Sequence, residues 1–499
     1  TVGGFAADFH VITQAGSSFS VTPSVSGGSW FAHGLRSDGT VYAWGYGWYL
    51  GSGAGGSPVP VPVALSAISG VTQLSPGSGG AHALALRADG TLWGWGENSF
   101  GQLGDGTNAT RGTPVRIGGL AGLVRVARAQ GHSLGLKGDG TVWSWGYNNL
   151  GQLGDGTNVN RNVPAQVAGL SNAVAIAGGG SSSFVLRSDG TVWGMGQNLG
   201  TTPAQVGGFA SITALAAGEH HALGLKSDGT VWAWGLNSHG QLGDGTATNR
   251  WSPVQVSGLA GVVAIAAGRE FSLALKADGT VWSWGYNIVG QLGDGTTVER
   301  LVPVQVVGIT GVSALSAGEA NGYALKPDGS LWAWGANSYG AVGINVVGPN
   351  PQLLPTQVLG PGGTGFLDLG VADPANFAPQ TDVPLSSLRT SNAIAVTGIA
   401  SGAAISIAGG EYSLGCTASF TASPGTIDPG NTVCVRLAAA ASCSTTTTAT
   451  LTIAGFPARS FSVTTGAAYC DTTPDAFAFV AQGAVALGAA ATSNAVAIG

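Results

Sequence analysis

One short motif dominates the sequence and recurs at an almost constant interval. An Asp-Gly pair followed by Thr or Ser and a hydrophobic residue occurs seven times, usually running into Trp-x-Trp-Gly. The aspartates are Asp38, Asp89, Asp139, Asp189, Asp228, Asp278 and Asp328, spaced by 51, 50, 50, 39, 50 and 50 residues. A fixed period of this length indicates a repeat architecture, so most recurrent residues have a structural reason to recur.

Each repeat has the hydrophobic pattern of four short β-strands. In the sixth copy these runs lie around the Asp278-Gly279 pair, at 262–266, 272–276, 281–285 and 303–306. Asp-Gly between two alternating runs is a strong hairpin signal. Seven such units predict an all-β fold, a seven-bladed β-propeller over residues 1–365.

The two ends of the repeat region suggest how the ring closes. Residues 21–35 look like the early part of a unit, and 355–358 end the last one. Because a ring must close, we expect a terminal blade built from both chain ends. The interval of 39 residues arises because 199–203 replace the Gln-Leu-Gly-Asp-Gly loop in the fourth copy.

Three segments of the unit carry a family resemblance. They are Ala-Gly-x-x-His-Ser-Leu-Ala-Leu, Asp-Gly-Thr-Val-Trp-Ser-Trp-Gly and Asn-x-x-Gly-Gln-Leu-Gly-Asp-Gly, in register from about residue 19 to 358. This pattern resembles the regulator of chromosome condensation repeat, in a bacterial secreted form. The resemblance implies a seven-bladed propeller. It does not imply nucleotide exchange on a small GTPase or chromatin binding, which depend on particular faces and basic extensions of the eukaryotic members.

Composition argues against several functional classes. Charged residues are 8% of the chain and the net charge is −6, so we expect no nucleic-acid partner. No apolar run is as long as a membrane-spanning helix, so we expect no transmembrane segment. The chain begins at Thr1, as a processed secreted protein does, which predicts an extracellular or cell-surface location.

The region after residue 365 no longer follows the repeat. Short strands between Thr-rich and Pro-Gly turns predict an antiparallel β-sandwich over 373–470, which resembles Ser/Thr-rich modules of bacterial secreted proteins. All four cysteines lie there, namely Cys416, Cys434, Cys443 and Cys470. We expect disulfides and an oxidising compartment, with buried free thiols as the alternative. Sequence permits three connectivities, of which we favour Cys416–Cys434 with Cys443–Cys470.

Residues 471–499 form an incomplete second copy of the sandwich, in which 493–498 repeat 391–396 at an offset of 102. A few isolated strands cannot bury an apolar face. Three interpretations are open: local contacts order the strands at the end of the sequence, the strands lead into further modules, or they pair with a neighbouring molecule by β-augmentation or domain swapping. We expect the last, a homo-oligomer that becomes a filament if the contact is head to tail. The candidate assembly residues are Phe477, Phe479, Val485, Leu487, Val496 and Ile498.

Most polar residues of the repeat have a structural explanation. One position before the second strand holds His in three units and Phe or Tyr in three others, so we expect it to be a packing position. Its residues are His82, His132, His221, Phe184, Phe271 and Tyr323.

Four turn aspartates precede an arginine by six residues: Asp105, Asp155, Asp244 and Asp294. One carboxylate per loop is too few for calcium, so we expect local Asp–Arg contacts. The alternative is an arginine ring for an acidic or glycan partner. We expect no metal and no cofactor.

The first loop departs from the repeat with Tyr46, Trp48 and Tyr49. Aromatic residues that the repeat does not require are candidates for binding a glycan or protein ligand, whereas the Trp-x-Trp pairs are expected to pack between blades. We find no nucleophile elbow in a strand–helix context and no phosphate loop, so we expect no enzyme. The sequence predicts a non-enzymatic extracellular structural protein that self-associates through its C-terminal strands. The alternatives are an adhesin or lectin that uses a propeller face and, last, an enzyme with its site in the central channel.

Overall fold

The computed structural model describes residues 21–77, 79–207 and 210–370, and in the C-terminal part 380–383, 385–391, 394–395, 402–417, 419–428, 431–442, 444–453 and 456–465. These residues form β-strands and turns, with two short 3-10 helices at Gly47–Tyr49 and Pro361–Gly363. The predicted all-β class is confirmed. No helix in the described ranges is long and apolar enough to cross a membrane. The chain divides into two compact units, Thr1–Val371 and Ala372–Gly499.

The Asp-Gly motif forms the hairpin turn of the blades. In the sixth copy, the N–H of Gly279 donates to the carbonyl of Lys276, whose own N–H donates to the carbonyl of Thr280. Gly279 has a φ of 78°, a left-handed backbone that glycine adopts without a Cβ clash. The Asp278 carboxylate accepts the backbone and hydroxyl hydrogens of Thr280 at 3.0 and 2.6 Å. The motif recurs because each of its residues satisfies one requirement of the same tight turn.

Seven four-stranded antiparallel sheets follow one another along the chain, and the predicted seven-bladed propeller is confirmed. The first three blades comprise β1 (Ser24–Gly27), β2 (Phe31–Leu35), β3 (Val41–Tyr46), β4 (Pro58–Ala64), β5 (Val71–Leu74), β6 (His82–Arg87), β7 (Leu92–Gly96), β8 (Arg111–Ile117), β9 (Leu123–Arg128), β10 (His132–Lys137), β11 (Val142–Gly146) and β12 (Arg161–Gln166). The other four comprise β13 (Ala173–Gly178), β14 (Ser182–Arg187), β15 (Val192–Gly196), β16 (Gly200–Gln205), β17 (Ile212–Ala217), β18 (His221–Lys226), β19 (Val231–Gly235), β20 (Arg250–Gln255), β21 (Val262–Ala267), β22 (Phe271–Lys276), β23 (Val281–Gly285), β24 (Arg300–Gln305), β25 (Ala314–Ala317), β26 (Asn321–Leu325), β27 (Leu331–Gly335) and β28 (Gln352–Gln357).

The two faces of the ring carry different connections. The Asp-Gly turns join the second strand of each blade to the third, and we call their side the hairpin face. The loops before the second strand, such as 28–30, and those after the third strand, such as 47–57, lie on the opposite side. We call that side the loop face. The first strand of each blade is the inner one, nearest the axis of the ring.

The ring closes without a blade shared between the chain ends, so that prediction was wrong. Residues 24–64 and 314–357 each supply a complete four-stranded blade, which leaves no missing strand for the other end to provide. The two blades meet instead through side chains and through backbone hydrogen bonds, such as that from the N–H of Asn345 to the carbonyl of Pro60 at 3.0 Å. Trp44 donates from Nε1 to the carbonyl of Ala341 at 2.9 Å, and Leu369 packs in the same apolar cluster as Trp44.

Backbone hydrogen bonds also link neighbouring blades around the loop face. Donor first, they are Ser29 to Gly80, Gln130 to Gly179, Gly180 to Glu219, Glu219 to Arg269, Arg269 to Glu319 and Glu319 to Gly28, at 2.9–3.4 Å. At the equivalent place between the second and third blades, the N–H of Arg128 instead donates to the carbonyl of Pro76 at 3.1 Å. The bond from Glu319 to Gly28 joins the seventh blade to the first and completes the circle.

Arg128 lies at that irregular junction, and its side chain is fully buried. The guanidinium donates to the carbonyls of His82 at 2.9 Å, Gly77 at 3.1 Å and Gly27, and so connects the third blade with the first two. It also lies 5.2 Å from the ring centre of Phe31. Burial lowers the pKa of Arg128 to about 10, which still leaves it charged at neutral pH.

The two tryptophans of each Trp-x-Trp pair have different environments, so the packing prediction holds fully only for the second. Trp145, Trp284 and Trp334 are fully buried, and each donates to a loop carbonyl of the preceding blade at 2.9 Å. The first tryptophan is half-buried, and the basic residue before the turn covers it. Lys137, for example, lies 4.2 Å from the ring centre of Trp143.

The short fourth blade changes one seam of the ring. Elsewhere the Gly-Asp-Gly loop donates a backbone bond to the next blade, as from Gly245 to Leu301 at 3.0 Å. In the fourth blade β16 follows β15 almost directly. Leu199 and Phe184 instead pack against Trp234 of the fifth blade, and the Phe184 and Trp234 ring centres are 5.5 Å apart.

The second unit contains two sheets that share one core, and the predicted sandwich is confirmed. Its strands are β29 (Gln380–Val383), β30 (Leu388–Thr390), β31 (Ile394–Ala395), β32 (Ala403–Ala408), β33 (Glu411–Leu414), β34 (Gly425–Ile427), β35 (Thr432–Ala438), β36 (Thr446–Ile453) and β37 (Phe456–Thr465). One sheet has the order β29-β37-β36-β32-β34, and in the other β30, β31 and β33 pair with β35. The pairs are antiparallel except that of β29 with β37, which is parallel, so the prediction of an antiparallel sandwich was wrong at this edge. Val435, Leu451 and Phe461 are buried together between them.

Candidate functional site

The irregular loop at residues 46–50 lies on the loop face. Tyr46 ends β3, and Gly47–Tyr49 form a 3-10 turn. Trp48 is 49% exposed and packs over Gly56, where a Cβ would collide with its indole. Burial raises the pKa of Tyr49, with a smaller contribution from the charge of Glu97, so this phenol stays protonated at neutral pH.

Two of these residues belong to an aromatic group that crosses the seam between the seventh and first blades. The ring centres of Tyr46 and Tyr339 are 4.9 Å apart, those of Trp30 and Tyr339 are 5.3 Å apart, and those of Tyr46 and Tyr49 are 5.3 Å apart. We call Trp30, Tyr46, Tyr49 and Tyr339 the aromatic cluster. Trp30 is 41% exposed, so the cluster presents ring surface to solvent.

Trp30 has a left-handed backbone, with a φ of 67°. Of the described residues with positive φ, it is the one aromatic residue. A bulky side chain in this conformation costs about 1–3 kcal/mol, and such strain concentrates at functional sites. The carbonyl of Trp30 accepts the N–H of Tyr46 at 2.9 Å, which holds the strained residue against the cluster.

The sequence analysis did not identify Trp30 as a candidate, although a comparison of the repeats shows that its position holds small residues in other blades. Its position, directly before the second strand, holds Ala81, Gly131 and Ala320 in three other blades. Tyr46 and Tyr339 occupy regular loop positions, where pairs such as Phe100 with Tyr147 stack at a ring distance of 4.7 Å. Trp30 and Tyr49, which lies in the irregular first loop, are therefore the aromatic residues of the cluster that the repeat does not require.

The buried histidines are packing residues, as predicted. The assignment of Phe184 and Tyr323 to the same position of the repeat was wrong. His82, His132 and His221 each contact a serine of the next blade through Nε2, as in His132 to Ser183 Oγ at 2.8 Å. Nε2 of His33 lies instead 3.0 Å from the carbonyl oxygen of Leu50. Burial lowers the pKa of His33, His82, His132 and His221 to about 3, so they are neutral in the fold. The position pairs with the glycine of Trp-x-Trp-Gly, where Ser182 and Asn321 stand. Phe184 and Tyr323 lie two residues further on, on the same side of the strand.

The turn aspartates bind their own arginines, as expected. Asp105 Oδ2 lies 2.7 Å from Arg111 Nη2, and the equivalent pairs of three further blades are 2.5–3.0 Å apart. Asn98 donates to the other carboxylate oxygen of Asp105 at 3.1 Å. Among the described residues, no group of three or more His, Cys, Asp or Glu could hold a metal ion.

The centre of the ring contains a cavity of about 890 Å³. Its walls come from inner strands and include Val25, Leu215, Ile265 and Leu315. Hairpin residues such as Asp189 also line it, so the cavity reaches the hairpin face. The inner strands β1, β5, β9, β13, β17, β21 and β25 contain no carboxylate, imidazole or thiol, whereas Asp189 lines the cavity from a hairpin.

In the second unit, the favoured pair Cys416–Cys434 forms a disulfide across 18 residues. The second predicted pair, Cys443–Cys470, lies outside the residues that the structure describes. The assembly residues between 471 and 499 also lie outside the described ranges.

Comparison with known proteins agrees with this geometry. A model of the regulator of chromosome condensation (RCC1) repeat matches residues 89–136, 139–186, 228–275, 278–325 and 328–373. A second model of the same repeat matches 212–241, 262–291 and 312–341. The chain belongs to the RCC1 repeat family. The matched segments of this RCC1 propeller contain the hairpin, tryptophan and Asp–Arg features described above.

Solved RCC1 propellers have the same fold. The yeast RCC1 protein Prp20, in a crystal structure with Kap60, is 24% identical with a TM-score of 0.57, over 64% of this chain and 83% of that chain. Human WBSCR16 is 24% identical with a TM-score of 0.57, over 65% and 95%. The human probable E3 ubiquitin-protein ligase HERC3 is 32% identical over 95 residues, which are 19% of this chain and 9% of HERC3. The chain therefore spans only a small part of this curated relative.

Proposed function

We propose that this chain is a non-enzymatic extracellular binding protein, whose propeller docks a protein partner on the aromatic cluster. The observation that carries the proposal is Trp30, an exposed indole held in a strained backbone beside three tyrosines. Tryptophan and tyrosine dominate the binding energy of protein interfaces because they bury large rigid surfaces at low entropic cost. The Cys416–Cys434 disulfide supports an oxidising, extracellular location.

The relatives support a protein rather than a small molecule as the ligand. Yeast Prp20 is bound to Kap60 in one crystal structure, and a second Prp20 structure was determined together with its binding properties to Gsp1p and histones. Propellers of this fold can therefore serve as protein-binding platforms. Our proposal concerns the aromatic cluster of this chain and transfers none of those partners to it.

Replacing Trp30 by glycine should separate binding from folding. Glycine accepts a φ of 67° without strain, so we expect the Tm to stay within about 2 °C of wild type or to rise. Peptides selected from a random phage-display library against the immobilised full chain should bind Trp30→Gly at least tenfold more weakly. This loss corresponds to about 1.4 kcal/mol, a modest value for an interface tryptophan.

The control is Trp251→Ala, which removes another exposed tryptophan, on β20. Peptides that lose affinity for Trp251→Ala but keep it for Trp30→Gly would contradict the proposal, as would a selection that yields no binders. A glycan array probed in parallel distinguishes the lectin alternative. A glycan bound by wild type and lost in Trp30→Gly, without any Trp30-dependent peptide, would replace the protein partner by a sugar.

A second candidate is self-association through the C-terminal strands, and a sequence observation favours it. In the first sandwich copy, β30 and β31 pair with β35, and β29 pairs with β37. The sequence of the segment that contains β29, β30 and β31 recurs in part 102 residues later. A second copy of this segment has the sequence to pair with β35 and β37 of another molecule, which is domain swapping.

Deleting residues 471–499 tests this second candidate. We expect the full chain to form dimers or filaments in light scattering and electron microscopy, and the truncated chain to be monomeric. The truncated chain retains every strand that the structure describes, so its propeller should unfold at the wild-type temperature. A full chain that remains monomeric at high concentration would refute self-association and leave the aromatic cluster unaffected.

A further inference from the structure

One position of the inner strands is alanine in the last four blades but differs in the first three, where it is Ser24, Gln73 and Arg125. Opposite the last leucine of the second strand, the inner strands carry Ala175, Ala214, Ala264 and Ala314 in the fourth to seventh blades. The third blade has Arg125 there, opposite Leu136. A long cation thus replaces a methyl group on the inner strands, which otherwise line the cavity with small and aliphatic residues. Lys137, Arg187 and Asp189 also line the cavity from the hairpins, where Lys137 and Arg187 lie over the rings of Trp143 and Trp193.

Arg125 differs from the other ionisable side chain of the inner strands, Arg128. Arg128 is fully buried and bonded to carbonyls of the first two blades. Arg125 lines the cavity and is partly exposed. No carboxylate of the described residues forms an ion pair with Arg125, although Asp189 lines the same cavity. A guanidinium among mainly aliphatic inner-strand residues, with no ion-pair partner in the described part of the chain, is suited to binding an external anion.

The distance from Arg125 to the far end of the cavity indicates how long an apolar group the cavity can accommodate. β9 runs from the hairpin face at Leu123 to the loop face at Arg128, so Arg125 lies in the half nearer the open hairpin side. Beyond it the wall continues with Ala216, Ala266 and Ala317, up to the hydrogen-bonded loops. Three residues of strand span about 10 Å, and a cavity of this size falls within the range of ligand pockets, about 300–1,000 Å³.

We propose that the central cavity binds a medium-chain aliphatic carboxylate, with the carboxylate at Arg125 and the chain directed towards the loop face. Leu215, Ile265 and Leu315 then contact the chain from three blades. This site is separate from the aromatic cluster and on the other side of the ring. It does not depend on the proposed protein partner.

The test uses the full chain and isothermal titration calorimetry with octanoate, 1-octanol and acetate. Arg125→Ala introduces the residue of four other blades, so it should fold with an unchanged Tm. We expect wild type to bind octanoate at least tenfold more tightly than Arg125→Ala does, and more tightly than it binds acetate. Octanol should bind both proteins equally. Arg125→Lys should keep part of the preference for octanoate because it keeps the charge.

The control is Arg116→Ala, which removes an exposed arginine on the outer strand β8 and should bind octanoate as wild type does. Leu215→Trp, which fills the cavity, should abolish binding of octanoate and octanol together. The proposal is overturned if wild type does not bind octanoate, if Arg125→Ala binds it equally well, or if acetate binds as tightly as octanoate.

Discussion

Arg128→Ala is expected to lower the free energy of unfolding of the propeller by about 3 kcal/mol or more. The guanidinium donates to the buried carbonyls of Gly27 and His82 and to the partly buried carbonyl of Gly77. Removing it leaves these acceptors without a donor and opens a void beside Phe31. For a domain of this size, 3 kcal/mol corresponds to a decrease in Tm of about 4 °C.

Comparison of the repeats predicts the opposite result for Arg128→Ala, so the experiment distinguishes two stated expectations. At the position of Arg128 the last three blades carry Ala217, Ala267 and Ala317, so alanine is the consensus residue. A substitution towards the consensus is usually neutral or stabilising. Thermal unfolding of Arg128→Ala and of the surface control Arg116→Ala decides between these expectations. Equal Tm values for the two variants would show that the buried guanidinium does not hold the junction together.

Arg128→Met separates packing from hydrogen bonding. Methionine fills most of the volume of the arginine stem but donates nothing to the carbonyls. If the void dominates, Arg128→Met should unfold near the wild-type temperature. If the unsatisfied carbonyls dominate, it should resemble Arg128→Ala.

Acidification is expected to destabilise the propeller well above the pH at which its carboxylates titrate. Burial lowers the pKa of four histidines to about 3 in the fold, whereas their unfolded value is 6.5. Below pH 6.5 the unfolded chain binds protons that the folded chain does not, so stability present above pH 6.5 is lost as the pH falls towards 3. At pH 5 each histidine contributes a loss of about 2 kcal/mol, or about 8 kcal/mol for the four.

This loss is comparable with the whole stability of a typical domain. The turn aspartates do not produce it. Burial tends to raise the pKa of Asp105 and its equivalents, but hydrogen bonds and the arginine partners together lower it below 3.8, so their contribution disappears only at lower pH. Urea unfolding at a series of pH values between 8 and 4.5 should therefore show a steep decline that begins near pH 6.5.

His132→Phe is the matched variant, because Phe31 and Phe271 occupy the same strand position in other blades. At pH 8 it should be close to wild type. At pH 5 it should retain about 2 kcal/mol that wild type loses, a quarter of the total effect. A pH profile parallel to that of wild type would show that His132 does not titrate in this way.

The hairpins and the number of blades could be derived from the sequence because their causes are local. Asp278, Gly279 and Thr280 bond to one another or to Lys276, so the turn is visible in five consecutive residues. The apolar alternation of the flanking strands is equally local. Repetition then multiplies a short signal seven times, which removes most of the ambiguity of a single copy.

The predictions from sequence that were wrong depended on which residues pair between neighbouring strands. Phe184 and Tyr323 were aligned with the histidines because residues two apart share one side of a strand. Only the pairing with Gly196 and Gly335 shows that Ser182 and Asn321 hold that position. The shared terminal blade was a similar error, since four strands in the first blade can be counted only when their pairing is known.

The sequence alone determined the ring: its seven blades, the turns that shape them and the packing role of most tryptophans, histidines and aspartates. The tertiary structure alone decided which exceptions matter. Trp30 meets Tyr339 across 309 residues, Arg128 reaches three carbonyls on two other blades, and Arg125 faces a cavity that no single repeat contains. The physical reason is that turns and alternation act between neighbours in the chain, whereas a closed ring brings together residues with no sequence relationship.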